Sequence, residues 1–527
     1  MTIGKAINEL RIGSNMSQEQ FANLFDVSQQ SVQKWENGTS VPALEKIVNI
    51  SNYFGVSLDS LILGNSQRAV EETKKNTLVK PQYMNMHDWE FYSSNLVTEY
   101  QQSIEEGLDI DKYKDVFYSV SKLPKDEFKK RLGDVLFEVV NTASQKANYP
   151  FSEPSSIEAI QSLRRPYSYE KKATASIEDK IYGAWMGRIC GCLLGKPLET
   201  LRTEILIPFL TEVGNYPVHR YVKRTDLSDY IMKKYGLGYA GRCYVDEIYG
   251  EAAPVDDDTN YTVLYQEVIE KYGRDFTPFD VSRAWLDSQI KNAYCTAERV
   301  AYCNFVKGYA PPESAIYKNP YREWIGAQIR ADYFGYINPG NPEAAAEMAW
   351  RDACISHTKN GIYGEMFVAA MLAVAAETNN IEDIIYGGLG EIPHTSRLYK
   401  DLTSVIDCYK NGVSQVECFD MIHSKYDEHT DHGWCHTNPN AMIVVASLLY
   451  GNSDYGKSIC MSVERGFDTD CNAATVGSVL GMANGIGSIP KYWTEPVNDT
   501  LLTTIMGVGT VKISDRAKMT LKHINQK

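Results

Sequence analysis

Two acidic clusters, Asp256–Asp258 and Asp468–Asp470, lie far apart in the chain. Adjacent carboxylates repel one another, so a folded protein keeps them together only where positive charge neutralises them. Carboxylate oxygens are the ligands that hard cations such as Mg²⁺, Mn²⁺ and Ca²⁺ prefer. Apolar residues adjoin each cluster, Val255 before one and Ala473 after the other, which favours partial burial. The fold is therefore expected to bring two distant segments together around a shared metal site.

The second cluster begins like a calcium-binding loop of the EF-hand type, but it does not continue as one. Ala473 stands where that loop requires glycine, and Val479 stands where it requires glutamate. A site built from both clusters remains the interpretation.

The whole chain has the composition of a globular protein with more than one domain. It has 527 residues, of which 43% are hydrophobic and 23% are charged, and its net charge of −14 disfavours a general nucleic-acid-coating role. No apolar signal core follows the N-terminus, and the longest apolar run, 367–376, is too short to span a bilayer. These features predict a cytoplasmic protein with no membrane partner, in which the eleven cysteines are reduced thiols.

Residues 1–65 predict a domain of five short helices. Ser17 and Gln20 form a capping-box pattern at one helix, and Ser28 caps a helix predicted over 29–36. Asn37-Gly38 is expected to end that helix, and Pro42 is expected to open the next.

The stretches 17–22 and 27–38 together resemble the helix-turn-helix domain of phage-repressor-type regulators. That resemblance implies that the helix after the turn enters the major groove of DNA as part of a homodimer. The residues implied to contact DNA are Ser28, Gln29, Gln30 and Lys34. Four basic residues against six acidic ones within 1–65 imply weak overall attraction to phosphate.

The remaining chain predicts a linker and a large helical domain. Residues 66–75 are polar and charged, as in linkers, and 84–165 have helical patterns expected to pack against the C-terminal domain or to mediate pairing. The domains are thus 1–65, 66–175 for the linker and helical accessory segment, and 176–527. Ser176 caps a helix with glycine at every fourth residue, Gly183 to Gly195, which indicates close helix packing in a soluble core. Strand patterns are scarce, so the predicted fold is all-α.

Three motifs follow one another in this domain: Gly187–Glu199, Val255–Thr259 and Gly466–Ala474. In this order they resemble the ADP-ribosylglycohydrolase family, which includes the dinitrogenase-reductase-activating glycohydrolase. The resemblance extends from about residue 176 to near the C-terminus. It implies an all-α fold, two bound Mg²⁺ ions with Mn²⁺ as a substitute, and cleavage of the glycosidic bond that joins ADP-ribose to a target.

The resemblance also implies roles for individual residues. The implied metal ligands are Asp256, Asp257, Asp258, Asp468, Asp470 and Cys471. Catalysis is implied for Asp257, Asp258 and Glu199, of which Glu199 follows a helix end on a loop. The residues implied to bind substrate are Gly326, Ala327, Gln328, Arg330, His357, Asn360, Gly361 and Tyr363. For His357 the alternative is a hydrogen-bonded histidine of the core.

Three positions depart from the family pattern. Asp256 and Cys471 stand where the family has threonine, and Cys192 stands where it has aspartate. A thiol is a poor ligand for Mg²⁺, whereas the added carboxylate of Asp256 offers a compensating ligand.

The sequence thus predicts a metal-dependent hydrolase of ADP-ribosylated protein side chains or other acceptors, joined to a DNA-binding module. The alternative is a transcriptional regulator that senses ADP-ribose or an NAD-derived ligand with little turnover. The number of aspartates favours the enzyme, since a sensor would not need so many. The replacement of family residues by Cys192 and Cys471 is compatible with the sensor.

Overall fold

The computed structural model describes residues 3–63, 81–238 and 245–526. The chain divides into two compact units, Met1–Tyr83 and Met84–Lys527. The linker predicted at 66–75 lies outside the described residues.

Residues 3–63 form the predicted five helices: Ile3–Gly13, Gln18–Leu24, Gln29–Glu36, Leu44–Phe54 and Leu58–Leu63. The predicted capping box is present, since Ser17 accepts from the backbone N–H of Gln20 and the Gln20 side chain accepts from the N–H of Ser17. The fourth helix begins at Leu44 and not at Pro42, because the cap residue Ala43 has a non-helical backbone, with φ −59° and ψ 148°. A small core that includes Phe21, Val32 and Trp35 holds the helices together.

The accessory segment, residues 84–165, belongs to the same compact unit as the C-terminal domain. Its α-helices are Leu96–Glu105, Lys114–Ser121, Glu127–Thr142 and Ile157–Leu163, with short 3₁₀ helices at Asp88–Glu90, Tyr92–Ser94 and Asp111–Tyr113. A 3₁₀ helix at Tyr83–Asn85 precedes them. We call Leu96–Glu105 the docking helix, because its acidic residues contact the C-terminal domain.

The C-terminal domain is all-α, as predicted. Its α-helices are Ile177–Gly195, Thr203–Glu212, Asp229–Tyr235, Val245–Ile248, Asp257–Tyr272, Pro278–Ser288, Thr296–Val306, Glu313–Ile316, Asp332–Tyr336, Pro342–Ala353, Asn360–Ala375, Ile381–Leu389, Arg397–Lys410, Gln415–Lys425, Asp431–Cys435, Thr437–Tyr450, Tyr455–Val463, Thr469–Asn484, Lys491–Thr494 and Ile513–Ile524. The 3₁₀ helices in its described residues are Lys196–Leu198, Arg224–Leu227, Lys291–Ala293, Gln328–Arg330, Ile486–Ser488 and Glu495–Val497. Among the described residues, the strands are Thr500–Leu501 and Val511–Lys512, which pair antiparallel.

Three of these helices position the acidic clusters. We call Ile177–Gly195 the glycine helix, Asp257–Tyr272 the first acidic helix and Thr469–Asn484 the second acidic helix. Ser176 caps the glycine helix by accepting from the N–H of Asp179, as predicted. The four-residue glycine spacing places one bare stripe against the backbone of the second acidic helix.

The contact along this stripe leaves no room for a side chain. A Cβ atom at Gly187 would lie 2.2 Å from the carbonyl oxygen of Gly477, and one at Gly191 would lie 2.1 Å from that of Ala473. Because the two helices touch backbone to backbone, the glycine spacing fixes where along the glycine helix the second acidic helix begins.

Two findings bear on the class of protein. Within 3–63, 81–238 and 245–526, no helix combines the length and apolar character needed to cross a bilayer. The ten described cysteines are all free thiols.

Candidate metal and substrate site

The acidic residues converge where three helix ends meet. The glycine helix ends at Gly195 and leads through a short 3₁₀ turn to Glu199. The two acidic helices begin beside it, with Asp256 and Asp468 as their N-cap residues. The N-terminus of a helix favours negative charge, so both starts suit carboxylates. Three triplets have candidate ligand atoms within 4.8 Å of one another: Asp256, Asp257 and Asp258; Asp258, Asp470 and Cys471; and Glu199, Asp468 and Asp470.

Two of the acids already have protein cations as partners. Asp256 forms an ion pair with Lys196. Asp258 accepts from Arg188 at 3.0 Å through Oδ1 and from the thiol of Cys471 at 3.0 Å through Oδ2. Because Asp258 is fully buried and contacts a residue of the second acidic helix, its carboxylate holds the two acidic helices together.

The other acids are poised to receive a cation. Burial, followed by repulsion from Asp256, raises the pKa of Asp257 to about 7 and that of Asp470 to about 6. Burial and repulsion from Asp470 raise the pKa of Glu199 well above its usual range. The buried Oδ1 of Asp470 has no hydrogen-bond partner among the described residues. This all-oxygen donor set fits Mg²⁺ or Mn²⁺, because a cation would favour the ionised carboxylates and bind the unpartnered oxygen.

The two cysteines that depart from the family pattern, Cys192 and Cys471, are buried thiols. Burial, together with the nearby aspartates, raises the pKa of both Cys192 and Cys471 well above its usual range. Cys471 therefore donates to Asp258 as a neutral thiol. Its predicted role as a metal ligand stays a prediction, and the observed hydrogen bond gives it a different partner.

A cavity of about 520 Å³ opens beside the acidic cluster. It is large enough for a nucleotide-sized ligand. The residues that line it are His87, Asp88, Trp89, Asn95, Thr98, Glu199, Asp257, Cys295, Thr296, Glu298, Tyr321, Trp324, Ile325, Gly326, Ile329, Asp431, Trp434, Cys435, Asp468, Asp470 and Cys471. Glu199, Asp257, Asp468 and Asp470 thus border one accessible space, whereas Asp258, also predicted for the common site, does not line it.

Of the residues predicted to bind substrate, Gly326 lines this cavity. Its lack of a side chain has a reason, since a Cβ there would lie 2.0 Å from Oε1 of Glu298. Ala327, Gln328 and Arg330 are buried behind it. Arg330 forms an ion pair with Asp352, which anchors the segment 326–330 in the core.

The other predicted substrate residues are also buried away from the cavity lining. Burial holds the pKa of His357 well below its usual range, and its Nδ1 lies 2.8 Å from the Ser356 hydroxyl. This geometry is that of the core-histidine alternative, although its Nε2 has no described partner.

The segment around Glu153, and not the acidic cluster, is where Asn360, Gly361 and Tyr363 pack. Asn360 donates to Glu153 at 2.8 Å, and Tyr363 donates to the carbonyl oxygen of Pro154. A Cβ at Gly361 would lie 2.6 Å from the carbonyl oxygen of Arg322. Their predicted substrate contact stays a prediction, while the structure gives them these packing roles.

Glu298 is a site residue that the sequence did not reveal. It is buried, lines the cavity and has an Oε2 atom without a described hydrogen-bond partner. Burial raises its pKa to about 7, against the opposing effect of Arg330. No motif marks it, because Glu298 lies on a helix that only the tertiary fold brings next to Gly326.

A second group with metal-ligand chemistry consists of Glu105, His432 and His436. The Nδ1 atom of His432 accepts from the indole of Trp324 at 3.1 Å, and that of His436 accepts from the N–H of Asn438 at 3.1 Å. Each neutral ring therefore carries its proton on Nε2, which faces Glu105. With this tautomer, Nε2 has no lone pair for a cation.

The predicted DNA-contacting residues lie on one accessible helix. Gln29, Gln30 and Lys34 are exposed on the helix Gln29–Glu36. Ser28 caps that helix by accepting from the N–H of Ser31. Its hydroxyl is thus committed to the helix start, which fixes the position of the following glutamines.

Two family profiles match the chain. The profile described as ADP-ribosylglycohydrolase matches residues 173–519, and the profile described as helix-turn-helix matches residues 7–61.

Individual relatives match more narrowly. The chain is 34% identical over 83 residues to the HTH-type transcriptional activator BcrR of Enterococcus faecalis, a match that covers 16% of this chain and 41% of BcrR. The chain thus spans less than half the length of BcrR. A solved ADP-ribosylglycohydrolase-related protein complex aligns with a TM-score of 0.42 and 16% identity, over 66% of this chain and 98% of that one.

Proposed function

The chain belongs to the ADP-ribosylglycohydrolase family, and we propose that it is a metal-dependent hydrolase of the glycosidic bond between ADP-ribose and an acceptor. The observation that carries this proposal is the convergence of Glu199, Asp257, Asp468 and Asp470 on one cavity. Cleavage at an anomeric carbon develops positive charge on the sugar, which neighbouring carboxylates stabilise. The acceptor is a protein side chain or another ADP-ribosylated group.

Asp257, Asp468 and Asp470 would hold Mg²⁺ or Mn²⁺ in this proposal. The bound cations would supply positive charge that orients the ribose hydroxyls. Asp256 and Asp258 would act mainly by fixing this arrangement, since Lys196, Arg188 and Cys471 already contact their carboxylates.

Glu199 is proposed as the group that moves a proton during hydrolysis. Glu199 follows the 3₁₀ helix Lys196–Leu198 and is itself non-helical, so its carboxylate is not needed to form a helix. Burial, together with the charges of Asp470 and Asp256, raises its pKa, and its carboxyl group faces the cavity beside Asp470. A carboxyl group with these properties suits general acid–base catalysis.

The decisive variant is Glu199→Gln, which keeps the size of the side chain and removes its proton transfer. We expect ADP-ribose release to fall by roughly 10²- to 10⁴-fold, while thermal unfolding and affinity for ADP-ribose stay near wild type. Release would be followed by chromatography, with substrates ADP-ribosylated on arginine, serine and nucleic acid. A variant that retains wild-type turnover would refute the role of Glu199.

The same assay addresses the regulator alternative, for which the thiol of Cys471 in the acidic cluster is the favouring observation. A regulator would bind ADP-ribose without releasing it from any substrate.

We propose in either case that the N-terminal unit binds DNA as a homodimer through Gln29, Gln30 and Lys34, and that the protein acts in the cytoplasm. The match to a helix-turn-helix profile and the exposure of these side chains support DNA binding.

A further inference from the structure

Outside the acidic cluster, two polar atoms of the cavity lining are buried and have no hydrogen-bond partner in the described parts of the chain. They are the Oε2 atom of Glu298 and the hydroxyl oxygen of Tyr321. The sequence predicts neither residue for the site. A buried polar group without a partner costs about 1–3 kcal/mol. Ligand pockets place a few such groups on an otherwise apolar wall, where they fix the orientation of the ligand.

The carboxyl group of Glu298 lies against the cavity loop. It occupies the space of the side chain that Gly326 lacks, since a Cβ there would lie 2.0 Å from Oε1 and 2.5 Å from Oε2. Oε1 also lies 3.5 Å from the guanidinium of Arg330, which pairs with Asp352 as well. The charge of Glu298 is thus partly balanced by Arg330, while its Oε2 atom keeps an unused capacity to accept a hydrogen bond.

The hydroxyl of Tyr321 is a proton donor at the same cavity. Tyr321 is only 2% exposed. Burial, followed by the nearby charges of Asp88 and Asp431, raises the pKa of Tyr321 well above its usual range. The phenol therefore stays protonated at neutral pH, and its O–H is available to a ligand acceptor.

The loop that carries Tyr321 is held in place by the accessory segment. Arg322, the next residue, lies 2.8 Å from Glu99 of the docking helix and 2.6 Å from Glu106, which follows that helix. The ring of Tyr321 packs edge-to-face against Trp324, with ring centroids 4.6 Å apart. These contacts orient the phenol without a ligand, which lowers the entropy cost of binding.

The two polar groups belong to one apolar wall. Ala297 and Val300 lie on the helix that carries Glu298, and they pack against Tyr321 and Trp324 in a small core of their own. A ligand on this wall therefore meets an aromatic and aliphatic surface with one hydrogen-bond acceptor and one donor.

We propose that Glu298 and Tyr321 form a hydrogen-bonding subsite for the adenosine half of ADP-ribose, in which Glu298 accepts from a hydroxyl or amino group and Tyr321 donates to an oxygen or a ring nitrogen. The inference rests on the proposed function and names the residues that would hold its ligand. An ionised carboxylate accepts only from N–H or O–H groups, and an ionised diphosphate carries neither. Since the cations would orient the ribose at the scissile bond, the donors left for this wall are the hydroxyls and the adenine amino group of adenosine.

Tyr321→Phe tests the donor, because it removes the hydroxyl alone. Without ligand its melting temperature should stay or rise, since an unsatisfied buried polar atom is lost. Calorimetry with Mg²⁺ present should show ADP-ribose affinity lowered roughly two- to tenfold. Tyr169→Phe is the matched control, because the Tyr169 hydroxyl is also buried without a described partner and Tyr169 does not line the cavity. It should leave ADP-ribose affinity unchanged.

Glu298→Gln tests the acceptor, because it keeps the size of the side chain and replaces the carboxylate by a neutral amide. ADP-ribose affinity should fall roughly tenfold, since hydrogen bonds to charged groups are the stronger ones. Glu391→Gln is the matched control: Glu391 is buried, pairs with Arg164, has a pKa raised to about 7 by burial, and does not line the cavity. Its affinity for ADP-ribose should match wild type.

Three analogues identify the group that Glu298 binds. They lack the 2′-hydroxyl of adenosine, lack its 3′-hydroxyl, or carry hypoxanthine in place of adenine. The analogue without the relevant donor should bind wild type more weakly than ADP-ribose does, and Glu298→Gln should cause it no further loss.

Several results would overturn the inference. Tighter ADP-ribose binding by Glu298→Gln would place the diphosphate against this carboxyl group. Wild-type affinity in both Glu298→Gln and Tyr321→Phe would mean that ordered water, and not the ligand, satisfies the two atoms. A lower melting temperature in Tyr321→Phe than in Tyr169→Phe would give the hydroxyl a structural role. An undiminished loss for all three analogues in Glu298→Gln would exclude adenosine.

The same measurements separate this subsite from the proposed hydrolysis. If the wild-type protein binds ADP-ribose with these dependences but releases none from any substrate, the proposed hydrolysis fails and the subsite stands. If it hydrolyses without these dependences, the subsite alone fails. If ADP-ribose does not bind at all, both fail.

Discussion

Gly195→Ala should weaken the metal site through a contact between two helix backbones. Gly195 ends the glycine helix, and a Cβ there would lie 2.3 Å from the carbonyl oxygen of Thr469 and 2.4 Å from the backbone nitrogen of Asp470. Ordinary contacts of this kind lie at 3.4–4 Å, so the second acidic helix must retreat by about 1 Å. Metal–ligand distances tolerate only about 0.2 Å. The carboxylate of Asp470 would therefore leave its position.

The size of the effect is set by two opposing terms. Overpacking a tight contact costs about 1–3 kcal/mol, while replacing glycine by alanine in a helix recovers up to about 1 kcal/mol. We expect a net loss of about 1–2 kcal/mol in the free energy of unfolding without metal. Displacement of a ligand-bearing turn should lower Mg²⁺ affinity by about tenfold or more, as for residues that orient ligands elsewhere.

Gly183→Ala is the matched control for this prediction. It lies on the same stripe, where a Cβ would lie 2.5 Å from the carbonyl oxygen of Gly481. The position is about 18 Å further along the helix from the site, at 1.5 Å per residue. Gly183→Ala should lose similar stability and keep its Mg²⁺ affinity. Chemical denaturation in chelator and calorimetric Mg²⁺ titration would measure both quantities. Equal Mg²⁺ affinities in the two variants would refute the link between helix packing and the site.

Two further predictions concern pH and DNA. Without metal, Asp257 and Asp470 have pKa values of about 7 and about 6 in the folded state, above their ordinary values, so the folded protein binds more protons than the unfolded chain. Their contribution to stability therefore falls as pH rises from about 4 to about 7, and stabilisation by Mg²⁺ should grow over that range; a constant Mg²⁺ effect on the melting temperature would contradict this. For DNA, Gln30→Ala should relax sequence preference in a random-site selection, whereas Lys34→Ala should weaken binding to all sequences and reduce the slope of log affinity against log salt by roughly 0.9; a monomeric protein without a preferred site would contradict both expectations.

Local chemistry made much of the fold predictable. Ser17, Ser28 and Ser176 mark helix starts because their hydroxyls satisfy backbone N–H groups, and all three prove to be caps. The glycine spacing predicted close packing because it is a property of one helix face. Pro42 misled the prediction of a helix start, because proline fixes its own φ but does not oblige the next residues to be helical.

The site was predictable where charge clusters in sequence and not where it is assembled by the fold. The two acidic clusters lie together in the fold, where ligand atoms of Asp258, Asp470 and Cys471 come within 4.8 Å of one another. Glu298 and the cavity-lining residues of the accessory segment could not be found in this way. Glu298 lies beside Gly326, and Asp88 reaches the cavity only through the docking of a segment whose own pattern is that of amphipathic helices.

The measurement that tests the central claim most directly is ADP-ribose release by the wild-type protein and Asp470→Asn, each assayed in chelator and after addition of Mg²⁺. The account predicts no release in chelator, release by the wild type once Mg²⁺ is added, and little release by Asp470→Asn at the same Mg²⁺ concentration. Equal rates with chelator and with Mg²⁺, or wild-type rates in Asp470→Asn, would contradict it.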